Sequence, residues 1–427
     1  MNFRFRVGLA TVTLVSTGAL YAEGVIKTGW VEAGFLVLIS LSLIATGFLA
    51  RSLPNLLISI AAISLTLTML DLVLRPTFGS HLHYTPTNIS SHKLPELPIV
   101  GRWDENQTFD IDSYGDLAAM AGDPTLRERR RIVFRTDEFG FRNAPRSESV
   151  DILILGDSFP AGGGTTDDET FASVLRSKYG YRTYNLSYPG GPYDQFINFA
   201  IEWERLKVVS HPKMIWTFYT GNDLEDEGGN TWDIPSLPWR HGIAAWRVKY
   251  KTFRNRSPLN QWMEAIRLRV NSNVGGLILR WLPNGQPVLF VGSQEAAGKR
   301  SYQEVQQHPN FAKLTRTLAA MRTLTTERNV ELTILVLPTK GEVYRWLLET
   351  RNPEPEDSQS SGFALAVLEA CQAAGIACRD TKPYLISEAR RLYEAEGKLL
   401  WWRDDTHIGT YGHAALAAYI ADKVLND

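Results

Sequence analysis

The apolar positions of this chain follow two patterns. In the amino-terminal part they form unbroken charge-free runs, Val7–Ala22, Ala33–Ala50 and Ser52–Leu70, of 16, 18 and 19 residues. About 20 apolar residues cross a bilayer as a helix, so the second and third runs predict membrane spans. The first run follows Arg4 and Arg6 and reads as a third, retained helix, with a cleaved signal peptide as the alternative. From position 151 onward, short apolar runs alternate with amphipathic segments. Ile152–Leu155, "YRTYNLSYPGG", "PKMIWTFYTGND", "NVELTILVLPTK" and "GIACRD" read as strands with their loops. Glu169–Lys178, "DQFINFAIEWERL" and "GTYGHAALAAYIADKVL" read as helices. Strands and helices in alternation predict an α/β fold: a three-layer α/β/α parallel-sheet domain behind the membrane helices.

The stretch between the two regimes is polar and irregular. It ends in "RRRIVFRTDEFGFRNAP", which alternates as a strand, turns at Glu138–Gly140 and resumes, predicting a hairpin packed on the domain that follows. The expected organisation is therefore transmembrane helices over 1–76, an exported linker or hairpin extension over 77–147, and a catalytic domain over 148–427 with an insertion at about 225–310.

Charge adds an orientation. With Arg4, Arg6 and Arg51 inside, everything after about residue 76 lies outside, whether or not the first run is cleaved. The chain is then expected in the bacterial cytoplasmic membrane with its catalytic domain on the extracytoplasmic side. A net charge of −1 gives no pull towards nucleic acid, and no nucleic-acid partner is expected. Residues 240–280 are locally basic, with nine Lys or Arg against Glu264 and with Trp246, Tyr250, Phe253 and Trp262 interleaved. A solvated helical face is one reading of that stretch; contact with membrane lipid or an anionic polymer is the functional one. The two cysteines, Cys371 and Cys378, are either a bridged pair suited to an exported protein or two buried thiols at a helix–strand junction. No cysteine cluster suggests zinc, and neither a metal nor a cofactor is expected.

Chemistry enters through the loops after the strands, where open α/β sheets place their sites. Ser158 ends the first strand in "GDSF", Gly190 follows the second in "YPGGP", and Asn222 follows the third in "GND". His407 lies in "DDTH" before the last helix, three residues after Asp404. A serine hydroxyl becomes a nucleophile when a base takes its proton, the role for His407. An acid must orient the imidazole and offset its charge; the three-residue spacing selects Asp404 over the adjacent Asp405. The backbone N–H groups of Ser158 and Gly190 and the amide of Asn222 would receive the oxyanion. His413 reads as a cap or packing residue, and Asp157 as a residue that holds the turn.

In these residues the chain resembles the SGNH (GDSL-type) hydrolases. "GDSF", the Gly of "YPGGP", "GND" and "DDTH" match the family's first, second, third and fifth blocks, over about 151–427. The resemblance implies Ser158 as nucleophile, Gly190 and Asn222 as oxyanion donors, and Asp404 and His407 as the partners. "LPTKGEVYRW" (Leu337–Trp346) is similar to a stretch in membrane-linked SGNH proteins that modify polysaccharides, such as alginate acetylation proteins. On that likeness Lys340 and Tyr344 face substrate; otherwise they are a strand end and a solvated helix start.

The expected activity is that of a serine ester hydrolase removing acyl groups, acetyl foremost, from an exported glycan or lipid. The alternative is an O-acetyltransferase passing the acyl group to a polysaccharide hydroxyl, with a membrane partner supplying the donor. A third reading is an inactive scaffold in a polymer-export complex.

Overall fold

The computed structural model of the chain describes residues 69–70, 73, 91–93, 101–121, 123–143, 149–227, 273–274, 276–348 and 359–426. Apart from Met69 and Leu70 the three apolar runs lie outside these residues, and so do all the basic and aromatic residues named in the 240–280 stretch except Arg280. Among the described residues no helix is long and apolar enough to cross a membrane. The chain divides into one unit of Met1–His83 with Pro235–Ile266 and a second of Tyr84–Ile234 with Arg267–Asp427.

The centre of the second unit is a five-stranded parallel sheet. The strands are β1 (Val150–Leu155), β2 (Thr183–Asn185), β3 (Val208–Tyr219), β4 (Glu331–Leu337) and β5 (Ala377–Asp380), in the order β5-β4-β3-β1-β2. Read from the other edge this is 2-1-3-4-5, the flavodoxin-like order, with the strand order reversing between β1 and β3. β1 is apolar on both sides because it is covered on both sides. Leu153 and Leu155 face one core, with Met214, Trp216, Ile334 and Val336. Ile152 and Ile154 face the other, with Ile215, Leu335 and Leu337. Each fully buried side chain of this size contributes about 2 kcal/mol of hydrophobic stabilisation. β3 tolerates Pro212 because that residue falls in an irregularity of the ladder: the β1 pairing jumps from Val208 to Lys213, and β4 joins only at Lys213.

Helices fill both outer layers. They are α1 (Phe171–Tyr179), α2 (Pro192–Glu202), α3 (Phe311–Glu327), α4 (Lys340–Leu348), α5 (Gly362–Ala374), α6 (Lys382–Glu396) and α7 (Thr410–Ile420). Residues of α2, α3 and α5 pack on the first face, and residues of α1, α4, α6 and α7 on the second. The α/β class and the parallel sheet are thus as the sequence predicts. The start of α1 is two residues later than expected, because Asp167–Glu169 forms a 3-10 turn and Thr170 caps the helix through the Ser173 amide.

The expected hairpin is built differently. Arg130–Arg135 does form a strand, and the chain turns after it, but its antiparallel partner is the earlier Thr108–Ser113. The residues after the turn do not pair with it, because Arg142 is drawn into the domain as an ion-pair partner of Asp167.

Cys371 at the end of α5 and Cys378 in β5 are joined in a disulfide with a Cα–Cα separation of 6.1 Å. The buried-thiol alternative therefore falls. Gly375, in the left-handed conformation, turns the chain back sharply enough for helix and strand to meet. The bridge closes a loop of eight residues, for which chain entropy predicts about 2.5 kcal/mol of stabilisation. Denaturant titrations with and without reductant should differ by that amount, and coincident curves would refute the estimate.

Candidate active site

The catalytic geometry begins at the carboxyl end of β1. After Leu155 the chain runs through consecutive tight turns, with Gly162 N–H donating to the Phe159 carbonyl and Gly163 N–H to that of Ser158. Asp157 anchors this run by accepting the Phe159 amide at 2.9 Å. Ser158 is partly exposed at its start. Arg142 holds the glycine run from behind: its buried guanidinium donates to the carbonyls of Gly162 at 2.6 Å, Thr165 at 2.5 Å and Ala161 at 3.2 Å. Gly163 has a steric reason to be glycine, since a Cβ there would lie 2.8 Å from the His407 ring. β1 lies between β2 and β3, so Ser158 emerges with Gly190 on one side and Asn222 on the other, each in the loop after its strand. One amide hydrogen of Asn222 is donated to Asp226 at 2.6 Å; the second remains for another acceptor.

His407 reaches Ser158 from the loop before α7, Nε2 to Oγ 2.8 Å. Its loop is pinched at the base, where the buried Trp401 and Ile408 pair across it and Gly409 N–H donates to the Leu400 carbonyl at 2.7 Å. The acid at its back is Asp405, whose Oδ1 lies 2.7 Å from His407 Nδ1. This corrects the expectation for Asp404. The three-residue spacing fails because the loop folds as an Asx turn: the same Asp405 Oδ1 accepts the backbone N–H of His407 at 3.1 Å. Two residues of separation therefore suffice to bring carboxylate and ring together.

Asp404 points the other way and ties the loop to the extension. Its Oδ2 accepts the amides of Gly115 and Glu128, both at 2.7 Å, and its carbonyl accepts those of Leu117 and Ala118. Arg130 spans both acids, 3.0 Å from Asp404 Oδ1 and 2.6 Å from Asp405 Oδ2, and its guanidinium stacks on Trp402 at 4.3 Å. Gly115 approaches so closely that a Cβ would sit 1.8 Å from the Asp404 carbonyl oxygen. The extension is thus part of the site rather than a linker. The strand Pro287–Val291, at the end of the expected insertion, also contributes, Leu289 N–H donating to the Arg403 carbonyl at 2.8 Å.

Lys340 and Tyr344 do not face substrate. Lys340 is buried, and its Nζ donates to the carbonyls of Trp402 (2.6 Å), Leu289 (2.8 Å), Arg403 (3.1 Å) and Asp405 (3.2 Å). Tyr344 is buried, and its hydroxyl accepts the Leu400 amide at 2.6 Å. Both brace the catalytic loop from below, because the start of α4 packs under that loop. His413 is the buried packing residue expected; its Nδ1 accepts the first amide of α1 at 3.2 Å.

The electrostatics suit a base. Burial works against a charged His407 ring, but the Asp405 hydrogen bond and the charges of Asp405, Asp116 and Asp157 outweigh it and push its pKa up to about 9. Burial raises Asp405, yet the imidazole and Arg130 hold its carboxyl well below the usual carboxylate range. Burial pulls Lys340 down to about 8, against the pull of Asp404 and Asp405. Asp116, Asp405 and His407 are, among the described residues, a group with donor atoms of metal-binding type, within 4.8 Å of one another. Those atoms are engaged here with each other and with Thr406, Arg130 and Ser158.

Arg130, Arg142, Gly115 and Asp116 escape a reading of the sequence. Their one visible signal is the density of charge in an otherwise irregular segment. A nucleophile backed by an imidazole and a buried carboxylate can open an ester by acyl transfer to serine. Residues 295–427 match the family described as "SGNH hydrolase-like domain, acetyltransferase AlgX". Among solved structures, the chain is similar to a psychrotrophic esterase EstA from Pseudoalteromonas sp., inhibited by monoethylphosphonate. The likeness has 12% identity and a TM-score of 0.32, over 66% of this chain and 100% of that one. No curated protein matches the sequence. Over residues 295–427, which carry the Asp405–His407 pair, the chain is thus similar to an SGNH hydrolase-like family whose description names an acetyltransferase.

Proposed function

We propose that this protein is a serine ester hydrolase that removes short acyl groups, acetyl foremost, from an exported glycan or lipid through an acyl-enzyme on Ser158. The observation that carries the reading is the line from Ser158 Oγ to His407 Nε2 at 2.8 Å and from Nδ1 to Asp405 at 2.7 Å. Ser158 Oγ attacks the acyl carbon as Nε2 takes its proton. The oxyanion is received by the N–H groups of Ser158 and Gly190 and the Asn222 amide. Collapse expels the alcohol oxygen, which takes the proton from His407, and leaves acyl-Ser158. Water, deprotonated by the same nitrogen, then attacks the acyl-enzyme and restores the serine.

A second reading replaces that water with a sugar hydroxyl, making the protein a polysaccharide O-acetyltransferase. The observation favouring it is the description of the matched family as an acetyltransferase; a membrane partner would then supply the donor. In either case we place the catalytic domain on the extracytoplasmic side of a bacterial inner membrane. The apolar runs before residue 76 support anchoring there, and the disulfide supports an oxidising compartment.

The full chain treated with a serine-directed phosphonate should form a one-to-one adduct on the peptide carrying Ser158. An adduct elsewhere would remove the assignment, and no adduct would favour the inactive scaffold. With an acetyl donor and a de-acetylated polysaccharide, free acetate is expected to dominate. Mostly acetyl-sugar would establish transfer instead.

A further inference from the structure

We propose that Asp116 acts through Thr406 as a second positioning carboxylate for His407, making the extension before the domain part of what sets the strength of the base. The inference rests on the catalytic reading of Ser158 and His407 and deepens it. Asp116 opens the short helix Asp116–Ala121. That helix is fixed to the catalytic loop by the Leu117 and Ala118 amides, which donate to the Asp404 carbonyl at 3.1 Å. Asp116 Oδ1 accepts the backbone N–H of Thr406 at 2.8 Å, and Oδ2 accepts the Thr406 hydroxyl at 2.6 Å. The Thr406 hydroxyl has thus committed its proton to a carboxylate, so towards His407 it can only accept. It lies 3.1 Å from Nδ1.

Nδ1–H is therefore shared between the Asp405 carboxylate and a threonine oxygen polarised by Asp116. A hydrogen on Nδ1 leaves the lone pair on Nε2, facing Ser158. Two acids then back one imidazole, one directly and one through a hydroxyl, and both oppose loss of the proton once the ring has taken it. The other charges around the ring are Asp157 beside the nucleophile and Arg130 on the far oxygen of Asp405. Lys340, at the Asp405 carbonyl, lies below them. Neither cation contacts Asp116 in the described hydrogen bonds, so its charge is not cancelled by an ion pair. Burial and the neighbouring Asp405 push Asp116 up to about 7, so it is ionised over the alkaline range in which His407 changes state.

The test is the rate of phosphonate inactivation of the full chain against pH, which needs no natural substrate. The wild-type rate should rise with pH to a midpoint near the His407 value of about 9. Asp116→Asn should move that midpoint down by about one pH unit, as expected for removing one nearby charge, and lower the alkaline plateau by up to about tenfold. Thr406→Val, which keeps the Asp116 charge and removes only the hydroxyl between them, should move the midpoint in the same direction by less, and Thr406→Ser should restore the wild-type profile. If Asp116→Asn does not fold, the two Thr406 variants carry the comparison. A lowered plateau with an unmoved midpoint in both Asp116→Asn and Thr406→Val would reduce Asp116 to a structural anchor and overturn the inference. A wild type that takes no label would instead defeat the catalytic reading. Even then, a His407 imidazole titration by NMR, moved by Asp116→Asn or unmoved, would decide the inference.

Discussion

Asp405→Asn is expected to lower kcat for ester cleavage by about 10⁴-fold with little change in KM, the effect of losing a buried carboxylate behind a catalytic imidazole. Asparagine fills the same space and can still accept the His407 backbone N–H. It offers its carbonyl or its amide to Nδ1 without a charge, so the ring loses both the tautomer lock and the counter-charge to its protonated form. The midpoint of the pH–rate profile should fall as well, because the Asp405 hydrogen bond and charge are what raise the His407 pKa against burial. The neighbouring Asp404→Asn separates the two roles. One of its oxygens serves two amides and the other serves Arg130. An amide group can satisfy only part of that set, leaving a buried donor unpaired at a cost of about 1–3 kcal/mol. That variant should lose stability and keep its pH midpoint. The reverse outcome, with Asp404→Asn abolishing chemistry while Asp405→Asn retains it, would restore the three-residue spacing and refute the observed geometry.

Arg130→Met is expected to have the largest effect on stability, about 3–5 kcal/mol at neutral pH, the range for breaking a buried ion pair by removing one partner. The arginine side chain is 8% exposed and both acids are 0% exposed, so solvent cannot take over the neutralisation. Methionine keeps some contact with Trp402 but leaves two adjacent carboxylates facing each other. One of them must then be protonated. Asp404 is the candidate, since burial already raises its pKa and Arg130 is the first influence holding it down. The sign of the pH dependence follows. In the variant the native state binds a proton more tightly than the unfolded chain, so stability is greatest below the unfolded carboxylate range and declines as pH rises through the folded value. Denaturant midpoints of wild type and variant should accordingly converge towards pH 4 and diverge towards pH 8. A uniform offset at every pH would show that lost packing, rather than unpaired charge, sets the cost.

Much of this molecule is decided by patterns a few residues long. β1 is apolar at every position from Ile152 to Leu155 because both its faces are covered. That alone identifies a central parallel strand and places Ser158 at its carboxyl end. The same rule places Gly190 and Asn222 after the neighbouring strands and His407 ahead of the last helix. These inferences need only the periods of strand and helix and the rule that α/β sheets present their loops on one edge. What the sequence could not decide are contacts made across long separations or inside an irregular loop. Arg130 meets Asp405 across 275 positions and Asp116 meets Thr406 across 290; no local period encodes either meeting. Asp405 displaces Asp404 as the acid because an Asx turn shortens the reach, a choice governed by how the loop is pinched and braced rather than by spacing. Lys340 and Tyr344 turn inward because the floor of that loop needs a cation and a hydroxyl for its unpaired backbone groups. Periodicity determines which residues are buried and on which side. Only the packed tertiary structure determines which of two adjacent acids faces the imidazole, because that depends on partners the chain brings in from far away.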